Sequence, residues 1–473
     1  MYSISDNPVL HNFEMISRIP RGSGNEKAVS DYIKGWAENL GLSVSQDKIS
    51  NLIITKPASA GFETHPPVML QAHLDMVCEK NNSSSHDFTK DPILLKTEGD
   101  WLMSACGTTL GADNGIGVAA AMTILEDREL KHPSLEVVFT VQEESTFAGV
   151  ENVDVSLLRS RRMINLDNAV EHELIVGSCG GTGIEFKLPL EREREMPEGC
   201  GAFRIRLSGL KGGHSGGDIH RGRGNAIALL LRVIERAGLR TVSVLGGTNR
   251  LAIPREAEAV VLANEETVRN AVSEAESSMK KEYASAAPDL ELTYEPAEAS
   301  FPLTEESFKK LAAVIRLCPN GIVQMNGGFE GLVESSNNIG ILRTDEDSMT
   351  AEMEVRGAYR STVEYIVQSV QMLADITGAE MHCFNGYAPW EPGAGSELRT
   401  LAVGTFREVF GEQMKEIAVH AGLECGTFAE RIEGLDMIST GPDCHSFHSP
   451  EERVSIISVE RFYMFLIALL EKL

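Results

Sequence analysis

The sequence predicts an α/β domain over residues 1–185 and 385–473, with a mainly parallel sheet flanked by helices. It also predicts an inserted α+β domain over 186–384, built from two βαββαβ-like halves. Three observations carry this. Short apolar runs alternate with helical spacing through the first third of the chain. Ionisable residues stand where those runs end. The rhythm then changes at a glycine-rich stretch, "GSCGGTG" at 177–183, followed by the charged "EREREMPEG".

Taken in order, "EKAVSDYIKGWAENLG" has helical spacing and stops at Gly41, a residue suited to a helix C-terminus. "PPVMLQAHLDMV" is an apolar run leading to His73 and Asp75. "GVAAAMTILEDREL" reads as a helix, and "LEVVFTVQEE" and "RMINLDN" as two further strands. Buried strands separated by helices imply a largely parallel sheet, whose functional groups gather beyond the carboxyl ends of the strands. His73, Asp75, Glu143, Glu144 and Asp167 all occupy such positions.

Within the insertion, "AFRIRLSGL", "NAIALLLRVIERAG", "RTVSVLGG", "EAEAVVLA", "ETVRNAVSEAESSMKKEYA" and "LELTYEPA" spell βαββαβ. A looser second round follows: the helix "ESFKKLAAVIRLC", strands at "GLVESSNNIGILRT" and "SMTAEMEVRG", the helix "TVEYIVQSVQMLADITG" and the strand "EMHCFNG". From about 385 the α/β character returns and runs to the helix "VERFYMFLIALLEKL".

Composition narrows the classes. The 473 residues are 42% hydrophobic, enough for a sizeable core. A net charge of −26, from 69 acids against 43 bases, argues against nucleic-acid binding and favours cationic ligands. Eight scattered cysteines with no CxxC read as reduced thiols of a cytoplasmic protein. The N-terminal "MYSISDNPVLHNFEMISRIP" lacks a signal h-region, and no apolar stretch reaches the ~20 residues that span a bilayer.

The chemistry collects in five stretches: "AHLDMV", "TTLGADNGIGVA", "VQEEST", "INLDNA" and "HSPEERV". Each alone has an ordinary reading as a turn or a solvated strand end. Together, two histidines and three carboxylates form an N/O ligand set suited to Zn²⁺ or Mn²⁺. If one carboxylate bridges, the set serves two metals about 3.5–4 Å apart.

With these motifs the chain resembles the zinc-dependent exopeptidase family of carboxypeptidase G and the carnosinases, from "IPRGSGNE" at 19–26 to "HSPEER" at 448–453. "HAGLECG" at 420–426 is similar to the aminoacyl-histidine (Xaa-His, or beta-alanyl-histidine) dipeptidase branch. The resemblance implies two divalent ions, most often Zn²⁺, with Mn²⁺ or Co²⁺ as alternatives. Asp113 would bridge them, His73 and Asp167 would complete one site, and Glu144 and His448 the other. Asp75 would fix the His73 imidazole. Glu143 would be the general base toward a metal-bridging water and later the acid toward the leaving amine.

In the same family the inserted domain is a lid. His214, in "GLKGGHSGGDIHRGRGNA", would stabilise the oxyanion, in cis if the second half of the lid stands in for a partner subunit. Arg356, in "MEVRGAYRS", would clamp the substrate carboxylate, with a surface ion pair as its ordinary alternative. Asn249 and Gly422 resemble further substrate contacts. Two departures bear on substrate preference: "NAVEHE" follows Asp167, and "GAYRS" follows Arg356, leaving Arg360 as a second cation. His445 is a rival to His448. The implied function is hydrolysis of dipeptides of Xaa-His type such as carnosine, by a monomer or homodimer acting on short peptides, away from membranes. An aminoacylase, a short-peptide carboxypeptidase or a non-catalytic metal or peptide binder is the alternative.

Overall fold

The parallel core expected from the alternating runs is the centre of an eight-stranded sheet. The computed structural model describes residues 7–298, 300–393 and 395–473, so the first six residues of the N-terminal stretch lie outside it. The chain divides into two units: Met1–Gly177, Pro392–Ala418 and Leu423–Leu473 form one, and Ser178–Glu391 with Val419–Gly422 the other.

In the first unit the sheet order is Ser43–Gln46, Leu52–Lys56, Leu135–Thr140, Val68–His73, Arg162–Asn165, Asp436–Ser439, Glu173–Ser178 and Lys415–Val419. The central four strands pair in parallel, and the pairings of Leu52–Lys56 and Glu173–Ser178 to them are antiparallel. Val68–His73 and Leu135–Thr140 are buried along their whole length, as strands covered on both faces must be. Helix Ala112–Glu126 is apolar around nearly its whole circumference and almost entirely buried. Helix Ile456–Leu470 starts on Ser455, whose side chain accepts the Ser458 N–H.

The register fixes where chemistry can occur. His73 stands opposite Thr140, and Gln71 opposite Asn165, so three neighbouring parallel strands end side by side. A small four-stranded sheet contains the hairpin Cys444–His445 and Arg453–Ser455, whose connection carries His448.

The second unit is a nine-stranded sheet. In order, eight strands are Glu291–Pro296, Gly201–Ser208, Ala257–Ala263, Arg240–Gly246, Val333–Thr344, Ser348–Gly357, Gly180–Pro189 and Glu380–Tyr387, and Gly321–Met325 pairs with Val333–Thr344. The first βαββαβ half occupies one side of this sheet. The second half occupies the other, and its first strand is Gly180–Pro189, which precedes the whole first half in sequence. The boundary accordingly falls at Gly177/Ser178 and Glu391/Pro392 rather than at 185 and 385. The glycines that read as a break are strand residues, and the rings of Tyr387 and Phe384 pack against two of them, Gly181 and Gly183.

The halves join where Leu245 and Gly246 pair with Arg343 and Leu342. Beside this joint Gly247 has φ +71°, and a Cβ there would lie 1.8 Å from the Gly340 carbonyl oxygen. Gly247→Ala is therefore expected to destabilise the protein by about 2 kcal/mol or more, the scale of a strained left-handed residue with an added clash, read by thermal unfolding.

Candidate active site

The strand ends of the first unit gather the expected ligands. His73 ends its strand, Glu143 and Glu144 lie on the turn after Leu135–Thr140, and Asp167 follows Arg162–Asn165. Asp113 comes from the first turn of helix Ala112–Glu126. His73 Nε2 lies 3.2 Å from Asp113 Oδ1 and 3.6 Å from Asp167 Oδ1. His448 Nε2 lies 3.4 Å from Asp113 Oδ2 and 2.9 Å from Glu144 Oε1. The two oxygens of Asp113 thus face different imidazoles.

Ligand atoms about 2.0–2.2 Å from a tetrahedral ion stand roughly 3.3–3.6 Å apart. Two donor sets with such spacings, sharing one carboxylate, fit metal ions by distance and donor chemistry, and the atoms of each set lie within 4.8 Å of one another. Glu143 Oε2 is 4.0 Å from His73 Nε2, beside these sets. His445 is not part of either; it meets Trp101 edge to face, with ring centroids 5.2 Å apart.

Charge crowding shows in the titration of the group. Burial raises the pKa of Glu144 to about 7, with Asp113 adding to the rise and His448 opposing it. Burial also lifts Glu143 well above the usual carboxylate range, His73 working against the rise and Glu144 and Asp167 with it. For the imidazoles, burial opposes the charge and the acids outweigh it: Asp113 and Glu144 hold His448 up to about 10, and Asp167 and Asp113 hold His73 well above its ordinary value. The acids outnumber the imidazoles, which suits added cations.

Several residues hold these side chains in place. Asp75 Oδ1 faces His73 Nδ1 at 3.4 Å and accepts the Glu143 N–H at 3.0 Å, while its Oδ2 accepts the Glu144 N–H at 3.1 Å and the Ser23 hydroxyl at 2.7 Å. Glu26 Oε1 accepts the Gln142 N–H at 3.0 Å, pinning a residue whose φ is +57°. Glu452 takes four amides: Oε2 those of Leu110 and Gly111, Oε1 those of Ala112 and Asp113. Asn114 Nδ2 donates to Asp167 Oδ1 at 2.6 Å. Glu26 and Glu452 lie inside stretches singled out from the sequence, yet nothing local told an anchor from a solvated acid.

Glu424, in "HAGLECG", is a further buried carboxyl. It accepts from Gln71 Nε2 at 2.5 Å and Thr140 Oγ1 at 2.6 Å. Burial raises its pKa to about 8, against opposition from His73 and Thr140. "NAVEHE" supplies no member of these donor sets, since Glu171 is buried against Arg461.

The second unit holds its own polar cluster. His214 comes from the first half and Arg356 from the second, and His214 Nε2 lies 3.5 Å from Arg356 Nη2. His214 Nδ1 accepts the Gly217 N–H at 3.0 Å, which leaves a neutral ring its proton on Nε2. Two donors therefore converge. Arg356 is 4% exposed, which excludes the surface ion pair. Asn249 is exposed and its side chain accepts the Leu251 N–H at 2.9 Å; Arg250 beside it pairs with Glu354 at 2.7 Å. Gly422 is half-buried in the segment Val419–Gly422, beside Ala421, whose carbonyl accepts the Cys179 N–H. His420 donates to or accepts from Ser336 Oγ at 2.7 Å, and burial with the Arg356 charge keeps it neutral, at about 3. Arg360 is exposed at the start of helix Arg360–Thr377.

A parallel sheet that gathers imidazoles and carboxylates at its carboxyl ends presents the donor types that metal-dependent hydrolases use. The profile of peptidase family M20/M25/M40 matches residues 69–472, and the chain belongs to that family. It is 37% identical over 478 residues, 99% of this chain and 98% of the other, to the cytosol non-specific dipeptidase of Escherichia coli (strain K12). The structure is similar to that of the aminoacylhistidine dipeptidase from Vibrio alginolyticus, with TM-score 0.89 and 35% identity over 100% of this chain and 98% of that one. A tripeptidase from Staphylococcus aureus shares the fold at TM-score 0.61 and 15% identity, over 100% of this chain and 99% of its own.

Glu452 fixes the loop that presents Asp113 through its four amides and is not a member of either donor set. Glu452→Ala is expected to weaken metal binding about 10- to 100-fold, the range for groups that orient ligands, as read by chelator competition. Glu452→Gln, which keeps an acceptor oxygen, loses less.

Proposed function

We propose that the protein is a cytoplasmic dipeptidase dependent on two divalent ions, zinc in the first instance, that cleaves short peptides with a free C-terminus, including Xaa-His dipeptides such as carnosine. One observation carries this reading: Asp113 turns one oxygen to each of two histidine–carboxylate sets, with Glu143 beside them. His73, Asp113 and Asp167 would hold one ion, and Asp113, Glu144 and His448 the other. When bound, the ions supply Lewis acidity that polarises a carbonyl and acidifies water.

The remaining work belongs to side chains. Glu143 takes the proton of the attacking water and returns it to the leaving amine. Asp75 keeps the His73 ring and the Glu143 turn in register through the hydrogen bonds already described. His214 Nε2–H is the donor for the developing oxyanion, and the Arg356 guanidinium receives the substrate carboxylate, a role matched to its planar fork. Asn249 and Gly422 are secondary contacts. Because His214 and Arg356 come from the two halves of one chain, the monomer carries both donors. Eight free cysteines and a relative named for the cytosol support the compartment. No helix among the described residues is long and apolar enough to cross a membrane.

The test is hydrolysis of carnosine, Ala-His, Ala-Ala, Leu-Gly-Gly and an N-acetyl amino acid by metal-stripped and zinc-restored protein. Cleavage of the His dipeptides should need zinc, and Glu143→Ala should lower kcat by about 10²- to 10⁴-fold, the usual share of a general base, with its metal content retained. Cleavage of the acetylated substrate alone overturns the dipeptidase reading. Full activity in Glu143→Ala overturns the assignment of the base.

A further inference from the structure

Arg356 is deeply buried and close to an acid, yet that acid serves another partner. Glu354 lies 2.7 Å from Arg250 Nη1 and only within 3.8 Å of Arg356 Nη2. The close partner of Arg356 is a phenol: its Nη1 donates to Tyr387 Oη at 2.7 Å, and Tyr387 in turn donates to Glu354 Oε1 at 3.2 Å. The Cys179 thiol also faces the guanidinium. One carboxylate is thus shared by two guanidiniums, with a neutral group interposed on the Arg356 side.

The arrangement matters for an anion receptor. A carboxylate at contact distance would hold the guanidinium but cancel its charge and compete with an incoming carboxylate. A phenol at the same position fixes the geometry and leaves the charge available. The side chain is held, so little rotamer freedom is lost when an anion arrives.

The glycine-rich stretch that marked the start of the second unit builds this seat. Tyr387 pairs with Gly181, and Phe384 with Gly183, across neighbouring strands. A Cβ on Gly181 would lie 2.6 Å from Tyr387 Oη, and one on Gly183 would lie 2.9 Å from the Phe384 ring. Phe384 in turn lies under the Arg250 guanidinium, 5.2 Å from its carbon to the ring centroid. Side chains at these two positions would displace the rings that position both arginines.

We propose that Tyr387 is the positioning residue of the carboxylate-binding arginine, a neutral spacer between Arg356 and Glu354 that is seated on Gly181 and sets the affinity for substrates with a free C-terminal carboxylate. This rests on the carboxylate role given to Arg356 above.

The experiment compares the wild type with Tyr387→Phe, Glu354→Gln and Arg356→Ala on Ala-His and its C-terminal amide, using zinc-loaded protein whose folding is checked by circular dichroism melting. Losing one hydrogen bond to a charged group corresponds to roughly a tenfold change in affinity, so Tyr387→Phe should raise KM for Ala-His about tenfold. The loss should fall on KM rather than kcat, and KM for the amide should not move. Glu354→Gln keeps an acceptor for the phenol and should raise KM less than Tyr387→Phe. An unchanged KM in Tyr387→Phe, an equal rise for acid and amide, or a larger rise in Glu354→Gln overturns the spacer. If Arg356→Ala affects the acid and the amide alike, the carboxylate role itself falls and this inference with it.

Discussion

The Asp75 carboxylate faces His73 and accepts the backbone N–H groups of Glu143 and Glu144, so it ties the end of one parallel strand to the turn after its neighbour. Five ionisable side chains depend on that register. The cost of bringing acids together in a buried place is large, and backbone amides offset part of it at Asp75, Glu26 and Glu452. His73 and His448 offset another part. In the reading proposed above the remainder is the affinity for cations: a group that is unfavourable without metal would become a ligand set with it.

The second unit follows the same logic with the sign reversed. There a single buried carboxylate, Glu354, serves two guanidiniums, and a neutral imidazole, His420, lies near by. The cluster retains positive character and presents donors from both halves of one sheet. A sheet built of two similar halves explains how one chain brings His214 and Arg356 within 3.5 Å of each other.

Much of this was legible in the sequence, for a physical reason. In a parallel sheet the functional groups fall just after short apolar runs, so "HLD", "QEE" and "LDN" announce their places without any knowledge of the partners. "GADNGIG" and "HSPEE" are readable because a loop feeding a helix and a hairpin turn are each local. Anchors were not legible. Glu452 stands next to Glu451, and only the fold tells that the first caps four amides; Asn114 and Arg21 are equally silent, although Arg21 is buried and donates to the Leu74 and Asp75 carbonyls. The strand Gly180–Pro189 was missed because glycine reads as punctuation, whereas here it admits the rings of Phe384 and Tyr387. Tyr387 carries no motif at all; its role follows from pairing with a strand some two hundred residues earlier in the chain.

In the proposed mechanism one carboxylate, Asp113, serves two ions at once. Calorimetric titration of the metal-stripped chain with zinc, with bound metal counted by elemental analysis, tests it most directly. Two ions per chain are expected in the wild type and at most one in Asp113→Ala. A single ion in the wild type, or two ions retained by Asp113→Ala, would contradict it.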